Sequence, residues 1–132
     1  METITDQTRP RAGPVLLVDD SEDVREIFKI WLEMEGFPVR AVGSAKEGLT
    51  CIEEGLLPSV VFVDYSMPEM NGPEFISALR ARRLLMDIPI YMFSAHSSLG
   101  PVEGARGWIR KPLNLEHVLT VIRDTTLGSL NI

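Results

Sequence analysis

The sequence predicts one doubly wound α/β domain, a five-stranded parallel sheet with helices on both faces. Two observations carry this. Five short, apolar, β-branched runs are separated by segments in which the apolar residues recur at helical spacing. The first, third and fourth runs are apolar almost throughout, which marks strands covered on both faces and hence a parallel sheet sandwiched by helices.

The first strand is predicted over Val15, Leu16, Leu17 and Val18. Val24, Ile27, Phe28 and Trp31 follow at i, i+3, i+4 and i+7, so the spacing predicts a helix that turns these four inward. The second strand spans 39–42. Ser44 and Glu47 then form an S-x-x-E capping box, and Ala45, Leu49, Ile52 and Leu56 make the inward face of a second helix. The third strand spans 60–63. Pro73 suits the first position of a third helix, where its missing N–H costs nothing, and Phe75, Ile76 and Leu79 form the buried face. The fourth strand is predicted over 88–93 and the fifth over 107–109. Asn114 is a capping residue for a last helix that buries Leu115, Val118, Leu119 and Ile122.

The fourth crossover is anomalous. It runs from Ser94 to Arg106, thirteen residues inclusive, and contains Gly100, Pro101 and Gly104. A parallel crossover needs about a dozen residues at minimum. Proline and glycine there leave room for at most a turn or two of helix, so the fourth crossover helix is expected to be short or absent.

Composition narrows the function. The chain has 132 residues, 45% of them hydrophobic, which suffices for one domain with a real core and excludes a disordered chain. A net charge of −6 argues against a general nucleic-acid partner, which would need a basic face. The local cluster of Arg80, Arg82 and Arg83 reads as the solvated end of a helix. No apolar run is long enough to span a membrane, and the first thirteen residues lack the apolar core of a signal peptide. Residues 1–13 read as a flexible leader, 14–128 as the domain and 129–132 as a tail. One cysteine, Cys51, precludes an intrachain disulfide and fits a reducing, cytoplasmic compartment; beside Ile52 it reads as a small buried hydrophobe.

Chemistry collects at one edge of the predicted sheet. Asp19 and Asp20 follow the first strand, Asp64 ends the third, Ser94 ends the fourth and Lys111 closes the fifth. In a parallel sheet these ends share an edge, and ligands bind outside it. Singly, each aspartate reads as a turn or cap residue, Ser94 as a loop hydroxyl and Lys111 as a surface charge. Together, three carboxylates repel one another unless a cation lies between them, and their hard oxygens suit Mg²⁺. An ammonium and a hydroxyl opposite would bind a phosphoryl group, and a carboxylate can serve as its nucleophile. Met67 and Met70 read as loop packing, since thioethers are poor ligands for Mg²⁺. His96 and His117 have no metal-binding spacing.

The segments Val18-Asp19-Asp20, Asp64-Tyr65-Ser66-Met67-Pro68-Glu69-Met70-Asn71-Gly72, Ser94-Ala95 and Lys111-Pro112 resemble, in this order, the receiver domain of bacterial two-component response regulators. The resemblance runs over residues 15–127. It implies the flavodoxin-like strand order 2-1-3-4-5. It makes Asp64 the phosphoacceptor. It assigns Mg²⁺ to Asp19, Asp20, Asp64 and the backbone carbonyl of Ser66. It gives Lys111 and Ser94 to the phosphoryl oxygens, makes the Lys111–Pro112 bond cis, and puts Ser94 and Trp108 in the role of switch residues. Trp108 departs from the family's usual Tyr or Phe, and core packing is its alternative reading. The implied partners are a histidine kinase or phosphotransfer protein upstream and an unidentified protein target downstream, with no nucleic acid or membrane and with room for a homodimer. The short fourth crossover should alter the face used by downstream partners, and no output domain is expected after the last helix. The chain would then be a signalling receiver that catalyses only its own phosphorylation and dephosphorylation.

Two alternatives remain at this point. A degenerate receiver would bind partners without being phosphorylated. A Mg²⁺-dependent phosphatase with an Asp nucleophile would need a second carboxylate two residues after Asp64, where Ser66 stands, and a cap over its substrate.

Overall fold

In the computed structural model, residues 13–95 and 100–127 are described, the side chains of 126 and 127 excepted. Nearly all of the predicted leader, His96 and the predicted tail therefore lie outside the described residues. The elements run β1 (Val15–Val18), α1 (Glu22–Met34), β2 (Val39–Val42), α2 (Ala45–Glu53), β3 (Val60–Asp64), α3 (Gly72–Ala81), β4 (Ile90–Ser94), β5 (Gly107–Arg110) and α4 (Leu115–Leu127).

All five strands are parallel, in the order β2-β1-β3-β4-β5. The three runs read as buried on both faces, β1, β3 and β4, are the three central strands. Every residue of β1 and β3 is buried, whereas the edge strand β2 exposes Arg40 and the other edge, β5, exposes Arg110. β4 begins two residues later than predicted. Pro89 has no N–H to give the ladder and contributes only its carbonyl, which accepts from the N–H of Val61.

The two faces of the sheet carry separate cores. Leu16, Val18, Val61 and Val63 pack with α2 and α3 through Leu49, Ile52, Phe75, Ile76 and Leu79. Leu17, Val60, Phe62 and Phe93 pack on the other face with Phe28 and Leu32 of α1 and Val118, Leu119 and Ile122 of α4. The Phe28 ring stands edge-on to Phe62 and Phe93, with centroids 5.6 and 5.8 Å away. Truncating such a ring typically costs about 3–5 kcal/mol.

α1 corrects the predicted helix face. The structure buries Phe28 and Leu32 with Val24 partly covered, and leaves Ile27 43%, Ile30 52%, Trp31 37% and Met34 78% exposed. The helix carries more apolar residues than one packing stripe can hold. The row 24–28–32 wins because it drives Phe28 between two aromatic rings of the sheet. A second apolar stripe is left facing outward.

The helix starts follow the predicted chemistry with small shifts. Ser44 Oγ accepts the Glu47 N–H, but the Glu47 carboxylate reaches the N–H of Gly43 rather than that of the cap residue. Asn71 and Glu74 form the complete reciprocal box at α3, with Pro73 in the first turn after Gly72. Asn114 Oδ1 accepts the His117 N–H and starts α4. Cys51 is half-buried rather than buried, and the guanidinium of Arg40 on the edge strand lies 3.4 Å from its sulfur.

The described part of the fourth crossover agrees with the expectation from its length, proline and glycines. Residues 100–106 contain no helix, and Ser97 and its neighbours up to 99 lie outside the described residues. Val102 and Ala105 pack against the α2–α3 core. No described helix is long and apolar enough to cross a membrane.

Candidate functional site

Each β-strand delivers its last residue to the same edge of the sheet. Asp19 is the first residue past β1, and its N–H donates to Val42 at the end of β2, extending the ladder by one rung. Its side chain is fully buried. Oδ1 accepts the Ser21 N–H at 2.9 Å, and Oδ2 lies 2.9 Å from Lys111 Nζ. Ser21 in turn caps α1 by accepting the Val24 N–H. Asp20, the next residue, is exposed. Asp64 ends β3 and is 7% exposed, with Oδ1 3.5 Å from the same Lys111 ammonium. Oxygens of Asp19, Asp20 and Asp64 all lie within 4.8 Å of one another.

The partners of these residues are set by the loops. Lys111 follows β5, and its N–H donates to the Ser94 carbonyl at 2.8 Å, so the β4 and β5 ends are tied together. Ser94 itself is buried. The Lys111–Pro112 bond is cis, as the resemblance implied. After Asp64, the Tyr65 N–H donates to Phe93 and the Tyr65 carbonyl accepts from Gly72. A Cβ on Gly72 would come within 2.7 Å of the Asp64 carbonyl oxygen, so a glycine is needed for α3 to start this close to the site. Met67 and Met70 are partly buried and pack against the core between the sheet, α2 and α3. Trp108 stacks obliquely on Tyr65, with centroids 5.6 Å apart, and its indole N–H donates to the Gly100 carbonyl at 2.9 Å.

Electrostatics follow from this geometry. Burial first, and then the neighbouring Asp19 charge, push the Asp64 carboxyl up from 3.8 to about 6, against the opposing pull of Lys111 and the Ser66 N–H. Burial would lower the Lys111 ammonium, but its contact with Asp19 and the charges of Asp19 and Asp64 outweigh that and raise it. Three carboxylates face one ammonium, so the site carries excess negative charge. Asp19 Oδ2 is buried and accepts no hydrogen bond of sound geometry among the described residues, although the Lys111 ammonium is close. A buried oxygen with spare acceptor capacity, two further carboxylates and access through exposed Asp20 suit a hard divalent cation such as Mg²⁺.

The five residues anticipated at the strand ends, Asp19, Asp20, Asp64, Ser94 and Lys111, thus sit at one edge, and Ser66 borders Asp64. Three contributors were missed. Ser21, between an acidic pair and an acidic first turn, carried a readable capping signal. Tyr65 and Arg25 did not, because their contacts, Trp108 and the Asp19 carbonyl, are made only by the fold.

Comparison with known proteins agrees. Residues 15–123 match the family model of the response regulator receiver domain. The DNA-binding response regulator MtrA of Mycobacterium tuberculosis is 32% identical over 114 residues, covering 83% of this chain and 48% of that protein. The transcriptional activator protein ExaE of Pseudomonas putida is 34% identical over 121 residues, covering 86% of this chain and 55% of that protein. The chain spans about half the length of the curated relatives it matches. The chemotaxis protein CheY4 of Vibrio cholerae superposes with a TM-score of 0.79 at 30% identity, covering 87% of this chain and 99% of that one. With a matching fold, a matching acidic edge and a family model that covers most of its length, the chain belongs to the family of response regulator receiver domains.

Proposed function

We propose that this receiver accepts a phosphoryl group on Asp64 from a histidine kinase or phosphotransfer protein, in a Mg²⁺-dependent reaction, and passes the signal to a protein target in the cytoplasm. The observation that carries the reading is the carboxylate of Asp64, at the end of β3 beside an acidic pair and the ammonium that Asp64 shares with Asp19. An oxygen of Asp64 attacks the phosphorus of the donor, the P–N bond to the donor imidazole breaks, and that nitrogen leaves with its electron pair. Lys111, already 3.5 Å from Asp64, neutralises charge on the transferring oxygens. Ser94, at the end of the neighbouring strand, supplies a hydroxyl to the same group. Asp19, Asp20, Asp64 and the Ser66 carbonyl would hold Mg²⁺, which when bound neutralises the carboxylates and the incoming phosphoryl oxygens.

The raised proton affinity of Asp64 fits this role, because an ionised carboxylate here is short of compensation until a cation arrives. The outward apolar stripe of α1 supports a protein donor. Ile27 shares a small, mostly apolar cleft with Lys111, Pro112 and Leu113, so the stripe begins at the rim of the site. A phosphodonor helix seated on it would bring its phosphoryl group to Asp64. The chain acts as a signalling receiver, and self-phosphorylation and dephosphorylation are its only catalysis.

Incubation with a small phosphodonor and Mg²⁺ distinguishes the readings. A receiver takes up a transient, hydroxylamine-sensitive phosphoryl group. A phosphatase turns over phosphoesters without accumulating one, and a degenerate receiver does neither.

A further inference from the structure

We propose that Arg25 is a positioning residue for the acidic pair: by holding the Asp19 carbonyl, it sets the direction in which Asp20 presents its carboxylate to a divalent cation. The inference rests on the metal reading above and goes beyond it, since Arg25 belongs to neither the carboxylates nor the phosphoryl-binding groups.

The peptide unit joining Asp19 to Asp20 is planar, so the orientation of the Asp19 carbonyl fixes how the chain enters Asp20. Arg25 Nη1 donates to that carbonyl at 2.8 Å. The rest of Asp19 is tied down independently: its N–H by Val42, its Oδ1 by Ser21. Asp20 differs. It is exposed, and no hydrogen bond or ion pair with a described residue holds its carboxylate, so its direction depends on its backbone. Arg25 is well placed to control that backbone. It sits in the first turn of α1, where its own N–H donates to Ser21 at 3.0 Å, so the base of the side chain is anchored.

The far end is accommodated by Gly43, just past β2. A Cβ there would lie 3.0 Å from Arg25 Nη1 and 3.3 Å from Cζ, closer than ordinary packing allows. The guanidinium therefore lies directly against the Gly43 backbone, and the Gly43 N–H is itself fixed by Glu47 Oε1 at 2.8 Å. One planar cation thus links the start of α1, the end of β2 and the turn that carries both acidic residues. A guanidinium suits this span better than a point-like ammonium.

The test is a Mg²⁺ titration of the purified chain, read by melting temperature and by intrinsic fluorescence, with the melting point in chelator as the measure of the fold alone. The parent should gain stability with Mg²⁺ by mass action. Arg25→Met should weaken Mg²⁺ binding about tenfold, the effect of losing one charge-assisted hydrogen bond. Arg25→Lys should recover part of the loss, to about threefold. Gly43→Ala, which crowds the guanidinium and keeps it, should weaken binding about two- to threefold, and should add nothing in an Arg25→Met background. If Arg25→Met and Gly43→Ala lower only the melting point in chelator and leave the Mg²⁺ midpoint within twofold of the parent, Arg25 is structural and the proposal is wrong. If the parent itself does not respond to Mg²⁺, the metal reading fails first and takes this inference with it.

Discussion

Replacing Asp64 by asparagine should make the metal-free protein more stable at neutral pH, although it removes the residue on which the proposed chemistry depends. Burial and Asp19 raise the Asp64 carboxyl from 3.8 to about 6 in the folded chain. The folded state therefore binds this proton more tightly than the unfolded state does, and stability falls as pH rises through that window. At about 1.4 kcal/mol per pH unit, the folded protein loses up to about 3 kcal/mol from this group between pH 4 and pH 7. The attraction of Lys111 is already counted in that value. Asparagine cannot ionise and escapes the loss. The assay is thermal unfolding of parent and Asp64→Asn in chelator at pH 4 to 7.5, taking the difference so that titrating groups not coupled to Asp64 cancel. The difference should grow in favour of the variant by about 1–3 kcal/mol, a shift of up to about 10 °C for a domain of this size. Saturating Mg²⁺ should narrow it, because the parent regains a partner for its charge. A difference that is flat with pH, or a parent more stable than the variant at pH 7.5 in chelator, would refute the reasoning.

Three further outcomes follow from the same contacts. Asp20→Ala should abolish the Mg²⁺-dependent rise in melting temperature while leaving the chelator value within about 1 kcal/mol, because Asp20 is exposed and structurally unpartnered among the described residues. Trp108→Phe removes the indole donor to Gly100; hydrogen exchange over residues 100–107 should speed up severalfold, with a loss of about 1 kcal/mol in global stability. Ile30→Glu with Trp31→Ala should slow phosphotransfer from a cognate histidine kinase at least tenfold, yet leave labelling by a small phosphodonor unchanged, since both residues are outward on α1 and neither touches Asp64.

The strands were legible because central parallel strands must be apolar on both faces, and Val15–Val18 and the run 60–63 are. The edge strands carried a weaker signal: Arg40 interrupts the apolar run of β2, and β5 continues one residue past the predicted 107–109, to Arg110. The short fourth crossover could be read from its length together with Gly100, Pro101 and Gly104. The inward face of α1 could not. Two apolar stripes compete on that helix, and the choice was made by the rings of Phe62 and Phe93, which are remote in sequence. The site divides the same way. Asp19, Asp20, Asp64, Ser94 and Lys111 were visible because strand ends converge on one edge of a parallel sheet. Arg25 was not, because an arginine in the first turn of a charged helix looks like any solvated cation until the fold lays it on Gly43 and the Asp19 carbonyl.

The central claim is that Asp64 takes the phosphoryl group, and the most direct measurement is intact and peptide mass spectrometry after incubation with a small phosphodonor. The account predicts a single added phosphoryl group on the peptide containing Asp64. It should require Mg²⁺, be released by hydroxylamine and be absent from Asp64→Asn. Equal labelling of Asp64→Asn, or a parent that stays unmodified in excess donor and Mg²⁺, would contradict it.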